Sequence, residues 1–404
     1  MLSTLSGTFP SAKFTALTRN PEVDSKRYRE YDMEIFQFVS PSFTKLWAIL
    51  KCIVWVMFYR FFRVNLRVLV PDEFKVLEAY TKADVVLFPS RDHISLTYGP
   101  KILAYVLGAI FIATALHKPT MLYAVQIGPF GNGLKARIGT FLTRFVLNRV
   151  NLITVRDRIS RENLRKLAVS KPSIYVTADP AFLLQSIPSE KAKRLMVEEG
   201  VHVNTKPLIG VNTSSIIYGF GFPNAKSLKD KRDEYVRLMS QIVDYLIEKL
   251  GATVLFVPHT FNPRGQDDRT IAKEILSKVT RKDKVKLITT DRTPEELKGI
   301  IGQLNLFITT RQHPLIHSTS MHVPTIAIDY TFRMQELMRR LGQENLICDI
   351  KTLDYNRLTS KINAAYSTED RIKKDLIYKT KILQKYAAKN ANLIKALLSK
   401  EKNL

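Results

Sequence analysis

Short apolar, β-branched runs recur along the chain and alternate with stretches of helical period, which is the pattern of βα units built on a mostly parallel sheet. In the first half the runs are residues 13–18, 34–39, 84–88, 121–127, 152–155 and 174–177, and in the second 208–212, 253–257, 285–288, 306–310 and 325–328. Several are apolar at successive positions rather than alternating, as expected of strands covered on both faces. Between the two sets, residues 187–207 show no strand signal and end in Lys206-Pro207. The pattern predicts an α/β fold with one domain over 1–186, a linker over 187–207, a second domain over 208–350 and a helical tail over 351–404.

Helix signals fall between the runs. Thr293-Pro294-Glu295-Glu296 combines an N-cap threonine, proline at the first helical position and glutamate three residues on, and Leu297, Ile300, Ile301 and Leu304 supply the apolar stripe. Ser160-Arg161-Glu162-Asn163 reads as another helix start, carrying Leu164 and Leu167 inward. Residues 46–62, LWAILKCIVWVMFYRFF, carry only Lys51 and Arg60 among apolar positions. Three readings account for that segment: a core helix, an interfacial helix held on anionic lipid by Arg60, Arg63 and Arg67, or a true membrane span.

Composition narrows the classes. The 404 residues exceed one ordinary core, and no apolar run reaches the length of a clear membrane span. Cys52 and Cys348 lack any paired spacing and read as buried thiols in a reducing compartment. The formal charge of +25 raises nucleic acid, anionic membrane and anionic substrate as partners. Its spread over helix faces, without a nucleic-acid-binding motif, argues against the first. A Walker or Rossmann glycine fingerprint is absent, and Gly219-Phe220-Gly221 reads as a flexible loop.

In a parallel α/β sheet, ligands bind beyond the carboxyl ends of the strands. In the second half those ends deliver Asn212, Thr213 and Ser214, then Pro258 and His259, then Arg311 and His313, then Asp329 and Tyr330. In the first half they deliver Ser90, Arg91 and His93, then Gln126, then Arg156 and Asp157, then Asp179. Arginine can clamp a carboxylate or phosphate, and histidine moves protons near neutral pH. Arg156-Asp157 also reads as an ion pair holding the next helix, and Asp179 before Pro180 as a turn former. His313 and His317 have zinc-helix spacing, but the glutamate of that motif is missing and Pro314 intervenes, so no metal is expected.

The stretches ADVVLFPSRDHIS, YAVQIGPFGN, ITVRDRISRENLRKL, YVTADPAFLL, IGVN, FVPH with the later DD, and TTRQHPLIHSTSMHVPTIAIDY resemble, in that order, the polysaccharide pyruvyl transferase family. The resemblance implies two Rossmann-like parallel-sheet domains facing a cleft, as in B-type glycosyltransferases. It also implies transfer of the enolpyruvyl group of phosphoenolpyruvate to a sugar as a ketal, with release of phosphate and no cofactor. Arg311 and His313 match the family's R-x-H motif, which implies donor contact for the arginine and proton transfer for the histidine. His259 is expected to share the catalytic role. Asn212, Ser214, Tyr330, Arg91, His93, Gln126 and Arg156 are expected to join Arg311 in substrate binding. The implied setting is the cytoplasm, peripheral at the inner membrane face, with a sugar or lipid-linked glycan as acceptor.

Two departures from the family pattern stand out. Pro89-Ser90-Arg91-Asp92-His93 replaces a glycine-rich turn, and residues 1–19 read as the end of a first helix followed by the second strand, so that the opening strand is expected to be missing. Two alternatives fit the same residues: a nucleotide-sugar-dependent glycosyltransferase of the B-type fold, and a non-catalytic member binding glycan or membrane.

Overall fold

A computed structural model describes residues 1–18, 20–37, 46–62, 67–71, 73–89, 92–202, 207–261 and 266–401. The chain divides into two compact units, Met1–Leu183 with Leu383–Leu404, and Leu184–Ile382. Among the described residues every strand pair is parallel. Each unit is a Rossmann-like α/β layer structure, the first with a four-stranded sheet and a separate two-stranded one, the second with a single six-stranded sheet.

In the first unit, β1 (Phe14–Thr18) pairs with β2 (Met33–Gln37), and β3 (Val86–Pro89), β4 (Thr120–Val125), β5 (Leu152–Val155) and β6 (Ser173–Val176) form a sheet in that order. The apolar run expected to continue to 127 leaves the ladder at β4, because Ala124 takes a positive φ of 52° and the register shifts between Leu122 and Val125. There the Ala124 N–H donates to the side-chain Oγ1 of Thr154 on neighbouring β5, at 2.7 Å, instead of to a backbone carbonyl of that strand. Helices cover both sides. Leu103, Leu107 and Ile110 pack with Leu122 and Ile153 in one cluster, while Ala391, Ile394 and Leu397 pack with Met121, Tyr123 and Leu152 in another.

The second unit holds β7 (Leu208–Asn212), β8 (Thr253–Phe256), β9 (Val285–Leu287), β10 (Leu306–Thr309), β11 (Thr325–Asp329) and β12 (Ile347–Asp349). Their spatial order is β12-β11-β10-β7-β8-β9. Read from the other edge this is the doubly wound order 3-2-1-4-5-6, with β7 and β10 as the neighbours from which the chain departs in opposite directions. Gly210 lies in the middle of β7, where a Cβ would collide with Leu304 and stand 2.6 Å from Phe307 Cδ2. Its missing side chain makes room for the side chains of Leu304, just before β10, and of Phe307, its partner in register on β10.

Several expectations change. The segment 187–207 carries helix Ser189–Glu198 within the second unit rather than running as a bare linker, and its residues 203–206 lie outside the described set. The helical tail is shared: helix Tyr355–Ser367 belongs to the second unit, whereas the last turns of Glu369–Glu401 belong to the first. The helix expected to start at Ser160 starts at Arg158, with Asp157 as N-cap accepting from Ser160 N at 2.6 Å and Ser160 Oγ at 2.9 Å. The Thr293–Glu296 capping box forms as expected. Gly219-Phe220-Gly221 is not an open loop but the end of a 3-10 turn, Ile217–Phe220, with Gly221 packed close to Ile350. Cys52 and Cys348 are buried free thiols. Among the described residues, no helix is long and apolar enough to cross a membrane.

Candidate active site

The carboxyl end of β7 is the centre of the site, and its flanking strands β8 and β10 deliver the reactive groups. Asn212, the last residue of β7, is fully buried and ties the three strands together. Its Nδ2 donates to the Val257 carbonyl at 2.9 Å, and its Oδ1 accepts from Thr309 Oγ1 at 3.1 Å. Asn212 is thus a strut under the site. Ser214 is buried as well, and its Oγ accepts from Ile216 N at 3.4 Å.

Above that strut, a carboxylate from the β8 side meets a guanidinium from the β10 side. Asp268 opens the helix Asp268–Lys278, and Arg311 stands at the N-cap of Gln312–Ser320. Asp268 Oδ1 accepts from Arg311 Nε at 3.1 Å and Nη2 at 2.6 Å. Asp268 Oδ2 accepts from the backbone N–H groups of His259 and Thr260, both at 3.1 Å. With its side chain 1% exposed against 18% for Arg311, Asp268 forms the buried end of the pair. Fixing Nε and Nη2 in this way leaves Nη1 to point elsewhere. The pairing also fixes the loop that carries His259.

Three imidazoles gather beside this pair. The His259 ring lies 5.7 Å from that of His313 and 6.0 Å from that of His317, centre to centre. His317 is buried, whereas His313, in the first turn of Gln312–Ser320, is exposed. Burial first, then the positive charge of His313, His317 and Arg311, holds the His259 imidazole well below its ordinary range. His259 is therefore neutral at physiological pH, and its Nδ1 has no hydrogen-bond partner among the described residues. A buried ring nitrogen without a partner is costly unless something binds it.

Other buried polar atoms without partners among the described residues fall at the same end of the sheet. They include Thr213 Oγ1 after β7 and Tyr235 Oη on the helix Leu228–Leu250. Burial, and then the negative charge of Asp268, raises the Tyr235 phenol, so it stays a neutral donor. At the end of β11, Asp329 Oδ1 accepts from Thr331 N at 2.9 Å, while Oδ2 lacks a well-aligned donor among the described residues. Burial pushes the Asp329 carboxyl up to about 6, against the pull of backbone N–H groups of Thr331, Gln335 and Tyr330. Tyr330 stacks on Phe220 with ring centres 4.9 Å apart. Asp268 and Tyr235 were not among the expected site residues; the acidic pair Asp267-Asp268 was visible in sequence, but the Tyr235 helix face carries no such sign.

In the first unit, Arg156 is paired with Asp179, not with its neighbour Asp157, which is occupied in capping. Arg156 Nη2 also donates to Gln126 Oε1 at 2.6 Å. These three side chains are buried, so the structure places Gln126 and Arg156 in a network joining the ends of β4, β5 and β6. The Tyr123 phenol, raised by burial and by Asp179, lies close to it. His93 stands edge-on to Tyr98, with Nε2 3.8 Å from Asp92 Oδ1. Arg91 lies outside the described residues.

Among the described residues, no cluster of His, Cys, Asp and Glu is arranged to hold a metal ion. What the second unit offers instead is a fixed guanidinium, a neutral buried imidazole and an exposed one. The first-turn N–H groups of Gln312–Ser320, which have no side-chain cap, lie at the same place. Such a combination suits a small anion whose reaction needs proton transfer.

A family model described as polysaccharide pyruvyl transferase matches residues 1–331. The chain is 23% identical over 280 residues to the amylovoran biosynthesis protein AmsJ of Erwinia amylovora, a match covering 69% of this chain and 64% of that one. Thus it spans somewhat less than two thirds of that relative. Among solved structures it is similar to the UDP-GlcNAc 2-epimerase of Neisseria meningitidis bound to UDP-GlcNAc, with a TM-score of 0.58 at 13% identity, covering 99% and 96% of the two chains. A glycosyltransferase from Rickettsia africae matches with a TM-score of 0.58 at 12% identity, covering 98% and 94%. Likeness at this level of identity reports the fold alone.

Proposed function

Because the chain belongs to the polysaccharide pyruvyl transferase family, we propose that it moves the enolpyruvyl group of phosphoenolpyruvate onto a sugar as a cyclic ketal, releasing phosphate. The observation that carries this reading is the Arg311–Asp268 pair set beside His259 and His313 at the switch between β7 and β10. The donor is a small trianion, and its acidic groups would meet Arg311 Nη1 and the first turn of Gln312–Ser320.

The proton inventory fits the two imidazoles. His313 and His259 are close enough that holding two protons would be costly, and burial already keeps His259 neutral. In this reading His313 delivers the proton to the donor's methylene carbon, which makes C2 electrophilic. A sugar hydroxyl adds to C2 and gives up its proton, phosphate departs, and a second hydroxyl closes the ring with loss of its own proton. His259 Nδ1, neutral and without a partner among the described residues, accepts a hydroxyl hydrogen bond during addition. Positioned acid–base groups of this kind supply about 10²- to 10⁴-fold. Asp268 acts through Arg311 and the His259 loop, and Asn212 through the strands beneath.

The acceptor in this reading is a sugar of a polysaccharide or lipid-linked glycan precursor, met at the cytoplasmic face of an anionic membrane. A ligand that binds only the folded protein raises its melting temperature by mass action. Phosphoenolpyruvate is expected to do so, UDP is not, and Arg311→Lys should remove most of the shift. A shift with UDP and none with phosphoenolpyruvate would overturn the reading in favour of a nucleotide-sugar enzyme.

A further inference from the structure

Helix Leu134–Leu147 of the first unit is apolar on two opposite sides. One side is spent on the core, through Ala136, Gly139, Thr143, Val146 and Leu147. The other is turned to solvent: Leu134 is 71% exposed, Ile138 52%, Phe141 66%, and Leu142 and Phe145 follow at 39% and 41%. At 3.6 residues per turn these five fall in a single stripe. Lys135 borders that stripe on one edge and Arg137 and Arg144 on the other, while the Arg149 guanidinium lies 3.6 Å from the Phe145 ring centre.

Helix Leu46–Phe62 repeats the arrangement. Cys52, Trp55 and Val56 are buried, while Leu50, Met57, Phe61 and Phe62 are 44%, 53%, 66% and 66% exposed. Arg60 lies 5.5 Å from the Phe61 ring centre, and Arg67 follows the helix. Both helices pack against the same neighbour, Pro100–Ala115. The sequence around them is free of acid: no Asp or Glu occurs between Glu34 and Asp72 or between Asp92 and Asp157.

We propose that these two stripes form one docking surface on which the first unit sits on an anionic lipid bilayer. A broad outward row of large apolar residues, edged by long cations whose stems extend beside it, suits the headgroup–acyl boundary, where the cations reach lipid phosphates. The absence of carboxylates removes the repulsion that an anionic surface would otherwise exert. This surface gives the membrane contact of the reading above a location, but its formation does not depend on the donor chemistry.

The test is co-flotation of the full chain, without substrate, with phosphatidylcholine vesicles made with or without phosphatidylglycerol. Flotation is expected with the anionic vesicles and should weaken in high salt. Ile138→Ser with Phe141→Ser, and separately Phe61→Ser with Phe62→Ser, should each lower the bound fraction about tenfold or more. Both double variants keep the parent melting temperature and the parent rate of phosphate release with a soluble acceptor. Absence of flotation by the parent protein, or equal flotation by both variants, would overturn the proposal. So would a dimer seen by light scattering that disappears in the same variants while no vesicle is bound, since the surface would then serve a second copy. Failure of phosphate release alongside normal flotation would bear on the chemistry and not on this surface.

Discussion

Replacing Asp268 tests how the site is held together. Its two carboxylate oxygens accept from Arg311 Nε and Nη2 and from the backbone N–H groups of His259 and Thr260, and the side chain is 1% exposed. In Asp268→Asn, one oxygen becomes an NH2 group. Whichever way the amide turns, that donor faces other donors: the guanidinium in one orientation, the two backbone N–H groups in the other. Breaking a buried ion pair from one side costs about 3–5 kcal/mol, and the partial exposure of Arg311 places this case near the lower figure. Disturbing the backbone pair adds about 1–2 kcal/mol. The expected loss is therefore about 4–5 kcal/mol, read from the urea midpoint at constant m. Arg311→Ala should cost less, because Asp268 keeps its two backbone donors. The double variant Asp268→Ala with Arg311→Ala should then be less damaged than the sum of the singles by about 2 kcal/mol or more. Additive losses, or an Asp268→Asn loss below about 1 kcal/mol, would refute the reasoning.

Three further outcomes follow from the geometry. His259 is held well below its ordinary range, so the unfolded chain takes up a proton that the folded chain refuses. Its contribution is present above about pH 6.5 and lost as pH falls below that value, and thermal melts of His259→Gln should show a flatter fall over that window. Asp329 works in the opposite direction: with its carboxyl raised to about 6 from 3.8, its contribution is full below the lower value and lost as pH rises through the upper. Asp329→Asn should therefore gain about 3 kcal/mol relative to the parent at pH 8 and nothing at pH 3.5, by urea titration at each pH. Gly210→Ala forces a methyl group against Leu304 and Phe307 and should cost about 1–3 kcal/mol in the same assay; an unchanged midpoint would show that these two side chains yield freely.

Much of the scaffold was legible because buried parallel strands are written as continuous apolar runs, and eleven runs correspond to β1 through β11 with shifted ends. The three-residue β12 was missed, since Ile347-Cys348-Asp349 has neither length nor pattern. Strand ends depended on tertiary detail: the turn of the backbone at Ala124 is driven by a hydroxyl on the next strand, Thr154. The rim residues His259, Arg311 and His313 could be named from their places after apolar runs. Their partners could not. Asp268 and Arg311 are 43 positions apart and meet only because β7 lies between β8 and β10, an order no local pattern encodes. Arg156 likewise passes over adjacent Asp157 to reach Asp179, because helix capping claims the nearer carboxylate. Helix Leu134–Leu147 carries apolar residues on two opposite sides in sequence, and only the folded chain separates the buried side from the exposed one.

Arg311 and His313 are proposed to serve ketal-forming transfer from phosphoenolpyruvate. The most direct measurement is phosphate release from phosphoenolpyruvate by the purified protein, with and without nitrophenyl glycosides or lipid-linked glycans. Release that requires an acceptor, yields a pyruvylated sugar and falls by about 10²-fold or more in a folded His313→Ala is the predicted result. Acceptor-dependent release that persists undiminished in that variant, or a protein that neither binds phosphoenolpyruvate nor releases phosphate with any acceptor, would contradict it.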